Sequence, residues 1–240
     1  MKNRLSSKII NTILLCVFFV ACSSDYTEKF EIQKTETGIN PDEWVKITAG
    51  KFFKGRHAHE ATIDSDFEIM LTHVTNSQYA KFLNSALSDK KISINDTAIL
   101  GYYPGDKFSG YIHEIEITDG YKLLMPIGEP GMHIKFANTK FLVDKGYGNH
   151  PAIMITWFGA KAYAEFYGWR LPYENEWEKA ARGTDKRAFP WGNEFSKQMA
   201  NFYGNRHKIE ESIKNYNRTT PVGFFNGKKY GEFETKKSVS

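Results

Sequence analysis

With 240 residues, of which 41% are hydrophobic and 15% aromatic, the chain is long enough to form one domain around a packed core. Its formal net charge is +4, and loss of the three basic residues of the predicted leader (Lys2, Arg4 and Lys8) reduces it to +1. A charge so close to zero argues against nucleic acid as a ligand.

The first 21 residues are typical of an export signal. Their basic residues precede an apolar stretch at 9–20, which is shorter than the ~20 residues that a membrane-spanning helix needs. Phe19-Val20-Ala21-Cys22 is similar to a bacterial lipobox, so we expect residues 1–21 to be removed and Cys22 to carry lipid. The membrane partner is then reached through acyl chains, and the implied location is the outer membrane of a Gram-negative bacterium. An ordinary cleaved signal peptide is the alternative.

Residues 22–40 are polar and predict a flexible tether, which leaves residues 41–240 for the domain. The two cysteines of the sequence, Cys16 and Cys22, both precede that domain. The exported body of the protein therefore has no disulfide, and its stability must come from its core.

Residues 44–87 show three patterns of secondary structure. We predict a half-buried strand from Phe67 to Leu71, where apolar and polar residues alternate. Thr75-Asn76-Ser77-Gln78 has the pattern of a capping box and predicts the start of a helix. Apolar residues then recur at helical spacing, at Tyr79, Phe82, Leu83, Ala86 and Leu87.

Residues 88–148 predict mainly β-structure. Asp119-Gly120 is a two-residue turn signal that would join a strand at 111–118 to a strand at 121–125. We predict a second hairpin between residues 134–137 and 140–143.

The next stretch predicts a short strand followed by a helix. Four apolar residues at 152–155 suit a buried strand. Thr156 is a suitable N-cap for a helix over 157–167, and Gly168 stands where a left-handed residue ends a helix.

A second helix is predicted to begin near Pro172 and to end at Gly183. Its acidic residues come early and its basic residues late, which matches the helix dipole. We expect Trp157 and Trp177 to lie on the inward faces of the two helices.

The stretch from Asn149 to Asn193 contains a set of residues at motif spacing: His150-Pro151, Trp157, Ala160, Tyr163, Arg170-Leu171-Pro172, Glu174, Glu176-Trp177-Glu178, Ala180-Ala181-Arg182-Gly183 and Pro190-Trp191-Gly192-Asn193. This set resembles the formylglycine-generating enzyme family, also called sulfatase-modifying factors. Weaker similarity extends from Trp44 to about Glu232, and it implies that Val45 to Gly55 form the opening hairpin of the family. Tyr173 departs from the family pattern, because it replaces a threonine that would complete a capping box.

The resemblance implies an α+β fold of the formylglycine-generating type, a C-type-lectin-like variant with much irregular structure. It also implies a calcium site at Asn201 and Phe202, since oxygen donors of this kind suit Ca²⁺. Lys214 stands where the family has an acidic ligand, and a lysine would repel the ion. We expect these motif residues to form the scaffold of the fold rather than to take part in chemistry.

Two function classes follow from the resemblance. As an enzyme, the protein would oxidise a cysteine of an exported sulfatase to formylglycine, with copper held by two thiolates. As a non-catalytic member, it would be a surface lipoprotein that binds an envelope protein. The family's cysteine pair and C-terminal third are absent from the sequence, so we expect a truncated, non-catalytic member unless a longer gene supplies the cysteines.

Other kinds of site are less favoured. His57 and His59 share one face of a strand, but no third metal ligand is near them in the sequence. Glu174 and Glu178 lie one helical turn apart, which is more typical of a solvated face than of acid–base catalysis.

Overall fold

The computed structural model describes residues 35–106, 116–205, 208–209, 218–230 and 233–236, all within the compact unit Ile32–Ser240. These ranges contain small antiparallel sheets, three α-helices and one short 3-10 turn, an α+β arrangement. None of the helices in them is long and apolar enough to cross a bilayer. In chain order the elements are β1 (Trp44–Ile47), β2 (Gly50–Lys54), β3 (His59–Ile63), β4 (Phe67–Met70), α1 (Asn76–Ser88), β5 (Ile92–Ile94), β6 (Ala98–Tyr103), β7 (Gly120–Pro126), β8 (Ile134–Ala137), β9 (Lys140–Val143), α2 (Trp157–Phe166), α3 (Glu174–Arg182), the 3-10 turn (Tyr203–Asn205), β10 (Lys229–Tyr230) and β11 (Phe233–Glu234).

The first four strands form one long hairpin that is bent in the middle. Strand β2 pairs with β3 near the tip, and β1 pairs with β4 at the base. The predicted hairpin within Val45 to Gly55 is therefore wrong, because these residues form mostly one arm and their partners lie at 59–70. Turn signals at the bend, such as Ala49-Gly50, mark an interruption of the ladder rather than a reversal of the chain.

The bend leaves backbone groups without a ladder partner, and side chains take their place. The carboxylate of Asp66 accepts from the Ala49 N–H at 2.8 Å. The ammonium of Lys179, on α3, donates to the carbonyls of Thr48 at 2.6 Å and Gly50 at 3.1 Å. Helix α3 is thus fixed to the bend of the hairpin.

Helix α1 is the centre of the core, as its sequence predicts. Thr75 is the N-cap, and its hydroxyl accepts from the Gln78 N–H while the Gln78 side chain accepts from the Thr75 N–H. The predicted apolar face is buried, with Leu87 only partly covered. The buried members are Tyr79, Phe82, Leu83 and Ala86, and Ala80 is buried beside them.

Strands β5, β6 and β7 form a three-stranded sheet next to this core. The partner of β7 is β6, so the predicted pairing of 121–125 with 111–118 is wrong within the described residues. Ile117 instead forms an isolated bridge with Asp106. Residues 111–115 lie outside the described residues. Asp119-Gly120 predicts a hairpin turn, but in the structure these residues stand at the start of β7.

The hairpin of β8 and β9 confirms its prediction at both ends of both strands. It packs on α1 through Asn84, whose side-chain amide donates to the Phe141 carbonyl at 2.9 Å and accepts from the Phe141 N–H at 2.8 Å. Phe141 is buried against the core.

Residues 152–155 do not form the predicted strand. Met154 has a φ of +60°, which turns the chain, and the pairing is reduced to an isolated bridge between Thr75 and Pro151. The turn directs the chain into α2, where Thr156 is the N-cap as predicted and accepts from the Gly159 N–H at 3.1 Å. Gly168 follows the helix with a φ of +77°, also as predicted.

The two tryptophans expected in the core are exposed. Trp157 is 48% and Trp177 is 61% accessible, so the prediction that they face inward is wrong. Helix α3 instead buries Glu176 and Lys179, one turn apart, and this places Trp177 on the outer side. The inward face of α3 is polar and is stabilised by an ion pair and hydrogen bonds, which apolar periodicity cannot reveal.

Candidate functional site

Side chains of α3 form hydrogen bonds with the tip of the bent hairpin. The Gly55 N–H donates to the Glu178 carboxylate at 2.7 Å, and the Gly55 carbonyl accepts from Arg182 at 3.2 Å. Glu178 and Arg182 also pair with each other, and Lys54 donates to the Asn175 side chain at 3.0 Å. These contacts give the helix and the hairpin tip one rigid arrangement.

An open pocket of about 450 Å³ lies beside this contact. Its walls are Pro172, Glu174, Trp177, Glu178 and Arg182. Glu178 is half-buried and ion-paired, so the expectation of a solvated pair at Glu174 and Glu178 holds for Glu174 alone. The exposed groups of the pocket are a carboxylate and an indole, which can hold a ligand but do not form an acid–base pair.

A second open pocket, of about 380 Å³, follows α3 in the chain and is lined by residues 185–187 and 191–193. Arg187 and Asp185 form a bidentate pair with nitrogen–oxygen distances of 2.7 and 2.8 Å. Hydrogen bonds from Arg187 lower the pKa of Asp185 to about 2. The Arg187 carbonyl accepts from Arg182, so the two pockets share one network of hydrogen bonds.

A buried cluster of rings lies where α1, the end of the β8–β9 hairpin and a C-terminal segment meet. The ring of His133 stacks on Tyr147 with centroids 3.5 Å apart, and the ring of His150 lies 5.0 Å from Tyr147. The Asn76 side chain donates to the Tyr147 carbonyl at 2.9 Å. The three ring residues are all buried.

His150 is held by a hydroxyl group. Its Nδ1 lies 2.8 Å from the Thr219 Oγ1. Burial, with a smaller contribution from His133, lowers the pKa of His150 from 6.5 to about 4, and a hydrogen bond to the backbone of Thr219 acts in the opposite direction. His150 is therefore neutral at physiological pH.

Asn201, one of the two residues predicted to bind calcium, is held through the nitrogen of its side chain. The side-chain nitrogen of Asn201 donates to the Arg218 carbonyl at 3.1 Å. Ca²⁺ takes about 6–8 oxygen ligands, and nowhere in the described ranges do three or more His, Cys, Asp or Glu side chains gather. Lys214 lies outside these ranges, so calcium at Asn201 and Phe202 stays a prediction.

The predicted lipid acceptor and the pair of histidines near the hairpin tip are the remaining candidate positions. Cys22, the predicted lipid acceptor, lies outside the described residues. His57 and His59 are exposed near the hairpin tip with ring centroids 6.1 Å apart. They belong to no group of three ligands in the part of the chain that the structure describes.

Sequence analysis missed Lys179 and His133. The charge pattern of α3 predicts Lys179 only as a late basic residue that matches the helix dipole, and a buried lysine has no periodic signal. His133 lies alone between two predicted strands, and nothing in its neighbours indicates a ring stack.

Comparison with protein families identifies the family of this domain. The model of the family described as "Sulfatase-modifying factor enzyme 1-like domain" matches residues 29–237, most of the chain. The chain belongs to this family. The resemblance stated from the motifs is confirmed.

Relatives of this sulfatase-modifying factor domain carry different names. "Serine/threonine-protein kinase pkn1" of Chlamydia caviae is 28% identical over 87% of this chain and 29% of that protein. "Formylglycine-generating enzyme" of Mus musculus is 27% identical over 78% of the chain and 54% of that protein. "Inactive C-alpha-formylglycine-generating enzyme 2" of Bos taurus is 38% identical over 31% of the chain and 26% of that protein. The chain spans less than two thirds of each of these relatives.

The cysteines of the chain lie outside the family match. Cys16 and Cys22 both precede residue 29, where the matched region begins. The sulfatase-modifying factor domain of this chain is therefore folded from residues without a thiol.

Proposed function

We propose that this protein is an exported lipoprotein whose sulfatase-modifying factor domain binds an envelope partner and, in these 240 residues, does not generate formylglycine. The observation that carries the proposal is the absence of cysteine from residues 29–237. Soft thiolates select copper in its reduced state, and residues 29–237 contain no thiol that could supply one. The described residues accordingly offer no set of ligands for a copper centre.

Family membership is compatible with such a role. A relative of the same family is named an inactive formylglycine-generating enzyme. The match to a named kinase spans 29% of that protein, and the same residues of this chain match the sulfatase-modifying factor model. Kinase activity is therefore not proposed for this chain.

We also propose a finer fold class than α+β for this domain. We assign the domain to the C-type-lectin-like variant of the formylglycine-generating fold. Its support is the combination of two- and three-stranded sheets with long irregular connections, such as residues 144–156 and 183–202.

Sulfatase maturation is the alternative function. It applies if a longer gene product supplies the cysteine pair, and its partner would then be an exported sulfatase. Calcium would remain a structural ion in either case, and copper would be needed only in this one.

An oxidation assay separates the two functions. The chain is incubated with a Cys-x-Pro-x-Arg peptide, copper and oxygen, and mass spectrometry measures the aldehyde product. We expect no product above the buffer control, while the Thermomonospora curvata formylglycine-generating enzyme, a relative of this chain, serves as the positive control. Copper-dependent turnover by the 240 residues would overturn the proposal, and turnover by a longer gene product alone would support the alternative.

A further inference from the structure

Hydrogen bonds connect residues 219–224 to the body of the domain. The Val222 N–H donates to the Asn149 carbonyl at 2.8 Å, and the Val222 carbonyl accepts from the Thr37 hydroxyl at 2.9 Å. The third contact is between Thr219 and the His150 ring. The buried residues of this segment do not belong to the main core cluster around α1, and segments outside the main core open at lower free energy than the core does.

The closed position of this segment excludes water. Thr220, Val222 and Phe224 are buried. Gly223 has a φ of +73°, and a Cβ there would lie 2.4 Å from a side-chain carbon of Ile39. The segment therefore fits closely, and its opening would expose both its own side chains and the ring of His150.

The surroundings of His150 do not favour a charged ring. His133 is the titratable group that acts on it electrostatically, across the ring of Tyr147. The carboxylate of Asp144 faces His133 at 3.2 Å and Lys135 at 2.8 Å. Arg218, next to Thr219, is exposed. Within the described residues, His150 is bonded to a hydroxyl and to no carboxylate.

We propose that His150 is a pH-sensitive latch that holds residues 219–224 on the domain, and that protonation of its buried imidazole releases this segment. An imidazolium in this position lacks a counter-ion and meets a second histidine across the tyrosine ring. Opening of the segment gives the charged ring access to water. Since one proton is taken up per opening event, the opening equilibrium rises about tenfold per pH unit below the ordinary histidine pKa.

Native-state hydrogen exchange of the full chain in detergent, read by NMR, tests this inference. The probe is the Val222 amide, and the reference is the amide of Leu83, which is fully buried in α1. After correction for the intrinsic exchange rate, the opening constant at Val222 should exceed that at Leu83 throughout. Between about pH 6 and pH 5 it should rise about tenfold. Equal opening constants at the two amides, or a pH-independent value at Val222, would overturn the latch.

Three variants identify the group responsible. His150→Gln should remove the pH dependence at Val222, whereas His59→Gln, at an exposed histidine, should leave it unchanged. A His150→Gln protein that keeps the wild-type pH dependence rules the latch out. Thr219→Val removes the hydroxyl partner without changing the histidine, so it should increase opening at neutral pH even if His150→Gln does not fold. No increase in that variant would also contradict the proposal.

Discussion

Arg170 and Glu176 form a two-point ion pair in which each guanidinium nitrogen lies 2.7 Å from a different carboxylate oxygen. Glu176 is buried, and the same carboxylate accepts from the Tyr173 N–H at 2.8 Å. It thus supplies one half of a capping box at the start of α3, although the side chain of Tyr173 forms no cap hydrogen bond. Glu176 therefore has two stabilising roles in one position.

Glu176→Gln should lower the free energy of unfolding by about 1–3 kcal/mol at neutral pH, because it removes a charge-assisted pair and weakens the cap. Half of the Arg170 side chain is exposed, which keeps the loss below that of a fully buried pair. Urea denaturation measures the change. Glu165→Gln is the matched control, since Glu165 pairs with Lys161 on an exposed surface, and it should cost about 0.5 kcal/mol or less.

The effect of Glu176→Gln should depend on pH. Hydrogen bonding from Arg170 lowers the pKa of Glu176 below the ordinary value of 4.5. A carboxyl whose pKa is lower in the folded state stabilises fully above its unfolded pKa, and this stabilisation is lost as the pH falls through the folded pKa. The difference between wild type and variant should therefore shrink when denaturation is repeated at about pH 3. A constant difference would show that the charge of Glu176 is not what stabilises α3.

Trp177→Ala should have little effect on stability, about 1 kcal/mol or less, because the indole is 61% exposed. Phe82→Ala is the comparison for aromatic truncation, since Phe82 is buried between Tyr79, Tyr163 and Phe166. That change should cost about 3–5 kcal/mol. Thermal unfolding of both variants checks the order. A larger loss in Trp177→Ala would mean that the tryptophan is covered in the protein in solution.

Gly159→Ala should destabilise the domain, although alanine is favoured over glycine in a helix by about 1 kcal/mol. A Cβ at this position would lie 2.3 Å from the Leu124 carbonyl oxygen and 2.8 Å from the Tyr79 hydroxyl. Helix α2 would have to move away from β7. The control is Gly168→Ala, where the space is open and the cost comes from the φ of +77° alone. A melting temperature that rises in Gly159→Ala would contradict this close approach.

Cys22→Ser should release the protein from membranes, because the predicted anchor is the lipid on that cysteine. Mass spectrometry of the mature N-terminus should find an acylated Cys22 in the wild type. Membrane fractionation of the variant, with Cys16→Ser as control, gives the second measurement. A soluble wild-type protein whose N-terminus starts elsewhere would support an ordinary signal peptide instead.

Sequence patterns predicted elements whose signals are local. The capping box at Thr75 and the alternation in 134–137 and 140–143 depend on neighbouring residues, and α1 and the β8–β9 hairpin were confirmed. The pairing of β1 with β4 is not predicted, because the Ala49-Gly50 turn signal suggests a reversal of the chain and only interrupts the ladder. Trp177 is predicted to face inward because apolar residues usually lie inside. In α3 the buried face is polar, so this rule selects the wrong face of the helix.

The candidate sites were less predictable than the fold. His150 was noticed as part of a motif, yet its partner Thr219 lies 69 positions away. Contacts over such distances depend on how loops pack, and one sequence contains no direct signal for them. The family motif located the region of the pockets beside α3, but it did not indicate which of their charged groups are already paired.

The bend of the long hairpin has a consequence for the order in which the chain folds during synthesis. The tip of the hairpin closes over a short turn, so β2 and β3 can pair as soon as they emerge. The carbonyl of Thr48 meets the ammonium of Lys179 only when a residue 131 positions later has been made. Until then, water must solvate the carbonyls at the bend. The N-terminal hairpin is therefore completed by α3, a helix that is translated long after the strands of the tip.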